Sequence, residues 1–388
     1  MGTQKMKIAF VSIINLKNIG GVRSYVEGLS SAMKANGNSV KSISLANLPL
    51  QKHIKNSKIS DPNAEKISAY MGAAKVVKWL YFLKSMFWKP DIVLFQDVIS
   101  YNTLATIAIK QGAKVALTAH TYLADEAVAN KFINEGSRTH KYLLDEEAKA
   151  YKSAETIITV DKRIKKYIVD NFKINENKVF DFINFTDTER FKPINKTEAR
   201  NILGWPTDEK IIVCPRKLNI KNGVIYAAKA AKEVELKDFK LYFCGDGEVK
   251  GEIQKIISED KTTDKVKLLG DINPDKMPYV YSAADYMVVP SITVHGMEEA
   301  TSIATLEAQA CEKVVIASNV GGLKQIIETN RTGVLVEQKS PKEIAKSVER
   351  LDKDPELKIK IEKNARKYVK ENCSNHSRSL DILKLFQS

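Results

Sequence analysis

Short apolar runs and longer amphipathic stretches alternate along almost the whole chain. The short runs predict strands at 7–13, 40–45, 91–95, 114–118, 156–160 and 179–182, and again at 210–214, 240–244, 266–269, 286–289, 314–317 and 333–336. Between several of them apolar positions recur at helical spacing, as over 21–36, 222–234, 248–258 and 341–351. Continuous apolar strands separated by helices belong to a parallel sheet covered on both faces, so the pattern predicts an α/β fold with doubly wound sheets. The rhythm starts afresh once. Lys7-Ile-Ala-Phe-Val-Ser and Lys210-Ile-Ile-Val-Cys-Pro each open one set of strands. Two Rossmann-like domains facing each other across a cleft is the expected architecture. Residues 184–209 hold Pro193, Gly204 and Pro206 among polar positions and read as the linker. The expected domains are therefore 1–190 and 191–369, with the basic helical stretch of about 370–388 returning to the first.

Composition narrows the class. A chain of 388 residues suits two domains, and 44% hydrophobic with 28% charged residues is a globular profile, not a disordered or collagenous one. Cys214, Cys244, Cys311 and Cys373 form no C-x-x-C pair. That argues against a disulfide scaffold and a zinc ribbon and for a reducing compartment. No run approaches the ~20 apolar residues of a membrane span, and Met1 to Lys7 lead into a strand without a signal-peptide pattern. A cytoplasmic protein is expected. The net charge of +14 is concentrated in residues 1–190, where 28 Lys/Arg face 18 Asp/Glu; the remainder has 33 against 29. Residues 34–89 carry ten lysines and only Asp61 and Glu65 as acids. Such an excess suits nucleic acid, a phosphorylated ligand or an anionic membrane. A solvated lysine-rich face accounts for it equally well.

Candidate chemistry sits where strands end. Gly20-Gly21 separate the first strand from a helix, letting backbone amides approach a phosphate at a helix start; a tight turn would use the same pair. In the second domain Arg216 and Lys221 lie in the loop after the first strand, where a fork and a point charge could meet a diphosphate. Solvated surface is the plainer account. Gly245-Asp246-Gly247 with Gly251, and Asp271 twenty residues on, imitate a dinucleotide fingerprint. Their spacing is G-x-G-x-x-x-G, however, and they follow the domain's second strand. The most specific stretch is Pro290 to Ala308. There a polar loop leads into a helix with Glu299 near its start and Glu307 eight residues on. A continuous helix would set the two carboxylates roughly 80° apart and ~12 Å apart in height, each able to accept hydroxyl hydrogen bonds from one extended ligand. The amides of Ala300, Thr301, Ser302 and Ile303 would face an anion. Glu299 as a helix-dipole complement is the alternative, but Glu307 lies within an apolar run and needs a partner.

The E-x7-E pair, flanked by Pro290-Ser291 and by Ala317-Ser318-Asn319-Val320-Gly321-Gly322, resembles the family 4 retaining glycosyltransferases of GT-B fold. Arg216…Lys221-Asn222-Gly223, Gly245-Asp246-Gly247, Gly20-Gly21 and the segment from Asn184 to Pro193 extend the resemblance over most of the chain. It implies a nucleotide-diphosphate sugar as donor (UDP- or GDP-linked) and a glycan or lipid-linked acceptor, with no cofactor, no metal requirement and no nucleic acid. Glu307 would accept the ribose hydroxyls, Glu299 would grip the sugar, and Arg216 with Lys221 would clamp the pyrophosphate. Gly20, Gly21 and Gly245 would line the donor, and His120, at a strand end, would reach the donor sugar. Transfer would proceed by front-face displacement, with the departing diphosphate helping to deprotonate the acceptor. Four departures stand out. Thr121, Phe185 and Gln325 occupy positions where members often carry Asp, Gly and Glu, and Asn222 intervenes before Gly223. The only D-x-D, Asp352-Lys353-Asp354, reads as a solvated turn. Residues 74–90 interleave lysines with Trp79, Tyr81, Phe82, Phe87 and Trp88, which suits an interfacial helix on anionic lipid or a core helix. The expected activity is transfer of a hexose-type sugar in surface polysaccharide assembly. The alternatives are a nucleotide-sugar epimerase or hydrolase, or a catalytically silent binding protein of the same fold.

Overall fold

The computed structural model describes residues 5–14, 16, 21–45, 62–129, 132–236, 238–294, 296 and 298–387. The chain divides into two compact units, Met1–Ile183 with Asn375–Ser388, and Asn184–Ser374. In the first unit the order is β1 (Lys7–Val11), α1 (Gly21–Ala35), β2 (Ser39–Ile43), α2 (Pro62–Phe87), β3 (Ile92–Phe95), α3 (Val98–Lys110), β4 (Lys114–Ala119), α4 (Leu123–Ala129), α5 (Arg138–Ser153), β5 (Ile157–Thr159), α6 (Lys162–Phe172) and β6 (Val179–Asp181). The sheet runs β2-β1-β3-β4-β5-β6 with every pair parallel. All four residues of β3 are buried, as an apolar strand covered on both faces must be. Asp97 caps α3. One carboxylate oxygen accepts the Ser100 amide (2.7 Å), and the other accepts the Ser12 hydroxyl and the Ile13 amide (both 2.9 Å). It thereby ties the end of β1 to the start of α3.

The second unit follows with α7 (Lys196–Leu203), β7 (Lys210–Cys214), α8 (Val224–Glu233), β8 (Phe239–Phe243), α9 (Lys250–Glu259), β9 (Val266–Leu268), α10 (Met277–Ala283), β10 (Tyr286–Val289), α11 (Ile303–Ala310), β11 (Val315–Ser318), α12 (Leu323–Ile326), β12 (Val334–Val336), α13 (Pro341–Lys353) and α14 (Pro355–Asn372). Its sheet runs β12-β11-β10-β7-β8-β9, again parallel. The last helix, α15 (Asn375–Lys384), lies in the first unit, where Asn36 donates to the Ser379 hydroxyl (3.2 Å). The stretch read as a linker, 184–209, contains α7, capped by Asn195 and ended by Gly204 in the left-handed region. The units part at Ile183/Asn184, and Phe185 is buried.

Each sheet has one place where its strand order reverses, between β1 and β3 in the first unit and between β7 and β10 in the second. In open parallel sheets that is where loops diverge and ligands bind.

Candidate functional site

β7 ends at Cys214 and β10 at Val289, so the loops after them leave the second sheet on either side of its switch point. Glycines let these loops touch. Gly223 precedes α8 with φ +60°, and a Cβ there would stand 1.9 Å from the Pro290 carbonyl oxygen. A Cβ on Gly245 would lie 2.3 Å from the Arg216 carbonyl oxygen, and one on Gly247 would lie 2.2 Å from that of Leu218. The glycines after β8 therefore seat the loop that carries Arg216. This geometry differs from a dinucleotide fingerprint, since α9 begins only at Lys250 and Asp271 is occupied by the Asp246 amide (3.1 Å).

Arg216 is the hub. Its guanidinium pairs with the Glu299 carboxylate at 2.9 Å, and the two side chains are only 10% and 12% exposed. It also donates to the hydroxyls of Ser302 (3.1 Å) and Ser291 (3.4 Å) and to the Asn222 side-chain oxygen. Asn222 is oriented for this, because its amide nitrogen donates to the Lys217 carbonyl (2.8 Å) and leaves the oxygen for Arg216. Among the described residues the Arg216 Nε–H has no partner. The contrast is Arg200, buried at the opposite, amino ends of β7 and β10. Arg200 spends Nε on the Ala283 carbonyl, one terminal nitrogen on the carbonyls of Thr207 and Glu209, and the other on Asp285 at 2.7 Å. Arg200 is structural; Arg216 keeps a donor in reserve. The Lys221 carbonyl accepts the Ile292 amide (2.9 Å), while its ammonium makes no hydrogen bond or ion pair among the described residues.

The reading of Glu299 and Glu307 on one helix is corrected. Residues 298–302 are not helical, and α11 starts at Ile303 with Ser302 as its cap, the hydroxyl accepting the Thr305 amide (3.4 Å). A serine oxygen satisfies a free first-turn amide better than another turn of helix would. Glu299, Ala300 and Thr301 thus belong to a loop, pinned where the Gly322 amide donates to the Glu299 carbonyl (2.8 Å) and Asn184 donates to the Thr301 carbonyl (2.6 Å). Glu307 is on α11 and partly buried. One of its carboxylate oxygens accepts the Tyr281 hydroxyl at 2.7 Å. Burial pushes this carboxyl up to about 7, against the pull of the Tyr281 bond and of Arg190. Burial and the neighbouring Glu307 hold the Tyr281 hydroxyl well above its usual range, so it stays a donor.

In the first unit His120 follows β4 and meets Gln96, which follows β3, at 3.0 Å. The Tyr25 ring stands edge-on to the imidazole at a centroid distance of 4.8 Å. Burial lowers His120 to about 4 and keeps it neutral. Gly21 opens α1, while Gly20 lies outside the described residues. In the D-x-D, Asp352 takes the Tyr286 hydroxyl (2.9 Å) and Lys210 (2.7 Å), and Asp354 caps α14, so both carboxylates have structural partners. The aromatic stretch 74–90 divides. Tyr81 is core and Trp88 lies against Lys41, but Trp79, Phe82, Met86 and Phe87 are exposed. Sequence reasoning did not single out Tyr281 or Gln96, and it passed over the side chains of Ser291, Asn222 and Ser302. A strand-end position was the available signal for Gln96 and Ser291. Tyr281 lies in an apolar helix and gave none.

The chain matches the family model for glycosyltransferase family 4 over residues 19–190 and that for glycosyl transferases group 1 over residues 195–368. It is 32% identical over 230 residues to an uncharacterised glycosyltransferase of Methanocaldococcus jannaschii, covering 58% of this chain and 57% of that protein. It is 26% identical over 311 residues to a GDP-mannose-dependent phosphatidylinositol monomannoside mannosyltransferase of Corynebacterium glutamicum, covering 76% and 80%. The match to the D-inositol 3-phosphate glycosyltransferase of Acidothermus cellulolyticus covers 50% of that protein, so the chain spans about half the length of several relatives. In fold it superimposes on the sucrose-phosphate synthase of Thermosynechococcus elongatus with a TM-score of 0.78 at 20% identity (99% and 98% covered). For Anabaena HepE in complex with UDP and glucose the score is 0.72 at 14% (98% and 99%). The chain belongs to the family 4 glycosyltransferases and has the GT-B fold.

Proposed function

We propose that the protein is a retaining transferase that moves a hexose-type sugar from a UDP- or GDP-linked donor to a glycan or lipid-linked glycan acceptor. The observation that carries the reading is Arg216 at the second sheet's switch point. It is held by Ser291, Asn222, Ser302 and Glu299, yet keeps an unpartnered Nε–H. A diphosphate is the ligand this arrangement suits, because a planar, permanently charged fork meets two phosphate oxygens at once. Lys221 adds a second cation on the same loop, unpaired among the described residues. The diphosphate and the Glu299 carboxylate compete for one guanidinium, so donor binding frees Glu299 to accept the sugar's hydroxyls. Glu307 keeps one carboxylate oxygen on Tyr281 and offers the other to ribose. In the reaction the bond from anomeric carbon to phosphate oxygen breaks and the bond to the acceptor oxygen forms on the same face. The acceptor proton passes to the departing diphosphate, whose charge Arg216 and Lys221 neutralise. The named relatives, one GDP-mannose-dependent and one bound to UDP, support a nucleotide-sugar donor without choosing the base.

A lipid-linked acceptor draws support from α2. Trp79, Phe82, Met86 and Phe87 are 57, 56, 59 and 89% exposed on a segment, 66–90, that has five lysines and no acid. Aromatic residues with basic neighbours suit an anionic bilayer surface, and no helix among the described residues is long and apolar enough to cross one. The test is a thermal-shift panel of UDP-, GDP- and ADP-sugars, followed by product analysis with and without acceptor. One nucleotide should stabilise the protein progressively with concentration, and sugar should leave the donor only when acceptor is present. Release without acceptor would identify a hydrolase instead. No stabilisation by any of the three would sink the donor site.

A further inference from the structure

Gln96 and His120 form a polar pair beneath the first sheet's switch point, and their hydrogen bonds fix which imidazole nitrogen carries the proton. The Gln96 side-chain nitrogen lies 3.0 Å from the Leu94 carbonyl oxygen and 3.5 Å from the Thr118 hydroxyl. A carbonyl can only accept, so the amide nitrogen must face Leu94 and the amide oxygen must face the ring. That oxygen is 3.0 Å from His120 Nε2. It too can only accept, so Nε2 carries the hydrogen and Nδ1 keeps its lone pair. Burial holds the ring neutral down to about pH 4. Nδ1 has no hydrogen-bond partner among the described residues, and the residue remains partly exposed. Among the described residues no charged side chain is bonded to the ring. Tyr25 from α1 packs edge-on against it, and Gln96 from the end of β3 is bonded to it.

We propose that Gln96 is a positioning residue for the transfer reaction, locking His120 as the Nε2–H tautomer so that Nδ1 acts only as an acceptor for a sugar hydroxyl. The inference rests on the donor reading for its second half, while its first half concerns the ring alone. A histidine so held cannot serve as a cation against the leaving diphosphate; its contribution is to orient a hydroxyl and draw on its proton.

The test has two arms on the full-length protein. In the first, nitrogen-15 NMR of the five histidine rings, with His120→Asn to assign the signal, should show Nε2 protonated and Nδ1 unprotonated from pH 8 to pH 5.5. A protonated Nδ1 in the wild type overturns the proposal whatever the activity. In the second, Gln96→Glu and Gln96→Leu are compared. Gln96→Glu places a carboxylate on Nε2–H and draws a second proton onto Nδ1. Its ring should titrate well above the wild type's, and its kcat should fall at pH 6 and recover by pH 9. Gln96→Leu frees the tautomer and should lower kcat about tenfold to a hundredfold, the range seen when the partner orienting a metal-bound histidine is removed, with donor KM nearly unchanged. If both variants fold by circular dichroism and keep the wild-type kcat and pH profile, the positioning role is wrong even where the tautomer is right. If the ring arm holds and the wild type transfers no sugar, the transferase reading fails and takes the positioning role with it. The tautomer assignment then stands alone.

Discussion

At the switch point of the second sheet an arginine and a glutamate pair across loops pressed together at glycines, a lysine shares the arginine's loop, and a second glutamate stands on α11 beyond. At that of the first, a neutral histidine, a glutamine and a helix-capping aspartate gather on strand ends. Both places arise from the same topological event, yet one is built to manage charge and the other to direct hydrogen bonds. On the proposed function the difference would divide the labour. A diphosphate needs permanent cations whose geometry is set beforehand, and every neighbour of Arg216 either pairs with it or turns it. On the same reading, a neutral site would serve to hold a hydroxyl and not a phosphate. Positive charge is nonetheless concentrated in the sequence of the first half, +10 against +4. If the proposed donor site is right, net charge is a poor guide to where a charged ligand binds, and what counts is the buried, oriented fraction.

Arg216 offers the most severe way to break this contrast. Arg216→Ala should lower kcat/KM by about a hundredfold or more, the order seen when one preorganised transition-state donor is removed. Arg216→Lys should not restore it, since a point charge cannot reach Ser291, Ser302 and Asn222 together. A variant within threefold of wild type in steady-state assays would end the idea that charge is handled at this switch point. Next in size is Gly223→Ala. The added carbon would meet the Pro290 carbonyl oxygen at 1.9 Å on backbone held at φ +60°, and neither side is a flexible side chain that can give way. A loss of ~3–4 kcal/mol in denaturant unfolding is expected from strain and overpacking. A loss below 1 kcal/mol would mean that the two loops are not pressed together.

The sequence made the frame of both sites legible, because buried parallel strands are continuous apolar runs. All six strands of each sheet lie within a few residues of where those runs predict them. It also put Arg216 and His120 just after strand ends, Glu299 in the loop region after β10, and Glu307 on the helix that follows. What it could not resolve was competition between equally good local options. Thr301-Ser302 can continue a helix or cap one, and the Arg216–Ser302 bond with the Asn184–Thr301 bond decides for the cap. Similarly, 184–209 has linker composition, yet Arg200 from that stretch is anchored by Asp285, 85 residues away. Tyr281 and Gln96 acquire roles only through residues distant in sequence, and no local pattern carries that information.

The first unit has its own buried acid, and it sharpens the comparison by serving structure. Glu147 on α5 accepts the amides of Leu123 (3.1 Å) and Ala124 (3.3 Å) and the Tyr151 hydroxyl (3.1 Å), so it caps α4 just beyond His120. Burial raises it to about 7, with those hydrogen bonds opposing. Folded protein then holds the proton more tightly than unfolded protein between the ordinary carboxyl range and pH 7. Stability from this group is greatest at low pH and is lost as pH rises through that window. Glu147→Gln removes the titration. Relative to wild type it should gain on the order of 2–3 kcal/mol between pH 5 and pH 8 in urea unfolding. A difference independent of pH would show that Glu147 does not titrate there.

The smallest effect concerns Glu307, the acid of the charged site, and tests whether its raised carboxyl serves binding. With the free carboxyl near 7, a ligand whose hydroxyls donate to it favours the charged form and lowers its pKa on binding. The complex then holds fewer protons than the free protein. Donor affinity should therefore level off above pH 7 and fall below it by at most about tenfold per pH unit. A nucleotide sugar is the right probe, because free nucleotide diphosphates carry a terminal phosphate that titrates near 6 and would blur the slope. Glu307→Gln should flatten the profile, and Tyr281→Phe should shift its midpoint upward by removing the bond that favours the carboxylate. If wild-type affinity is flat from pH 5.5 to 8, or if the Gln variant keeps the slope, Glu307 does not touch the donor. The charged site would then reduce to Arg216, Lys221 and Glu299, with Glu307–Tyr281 a buried structural pair like Glu147–Tyr151.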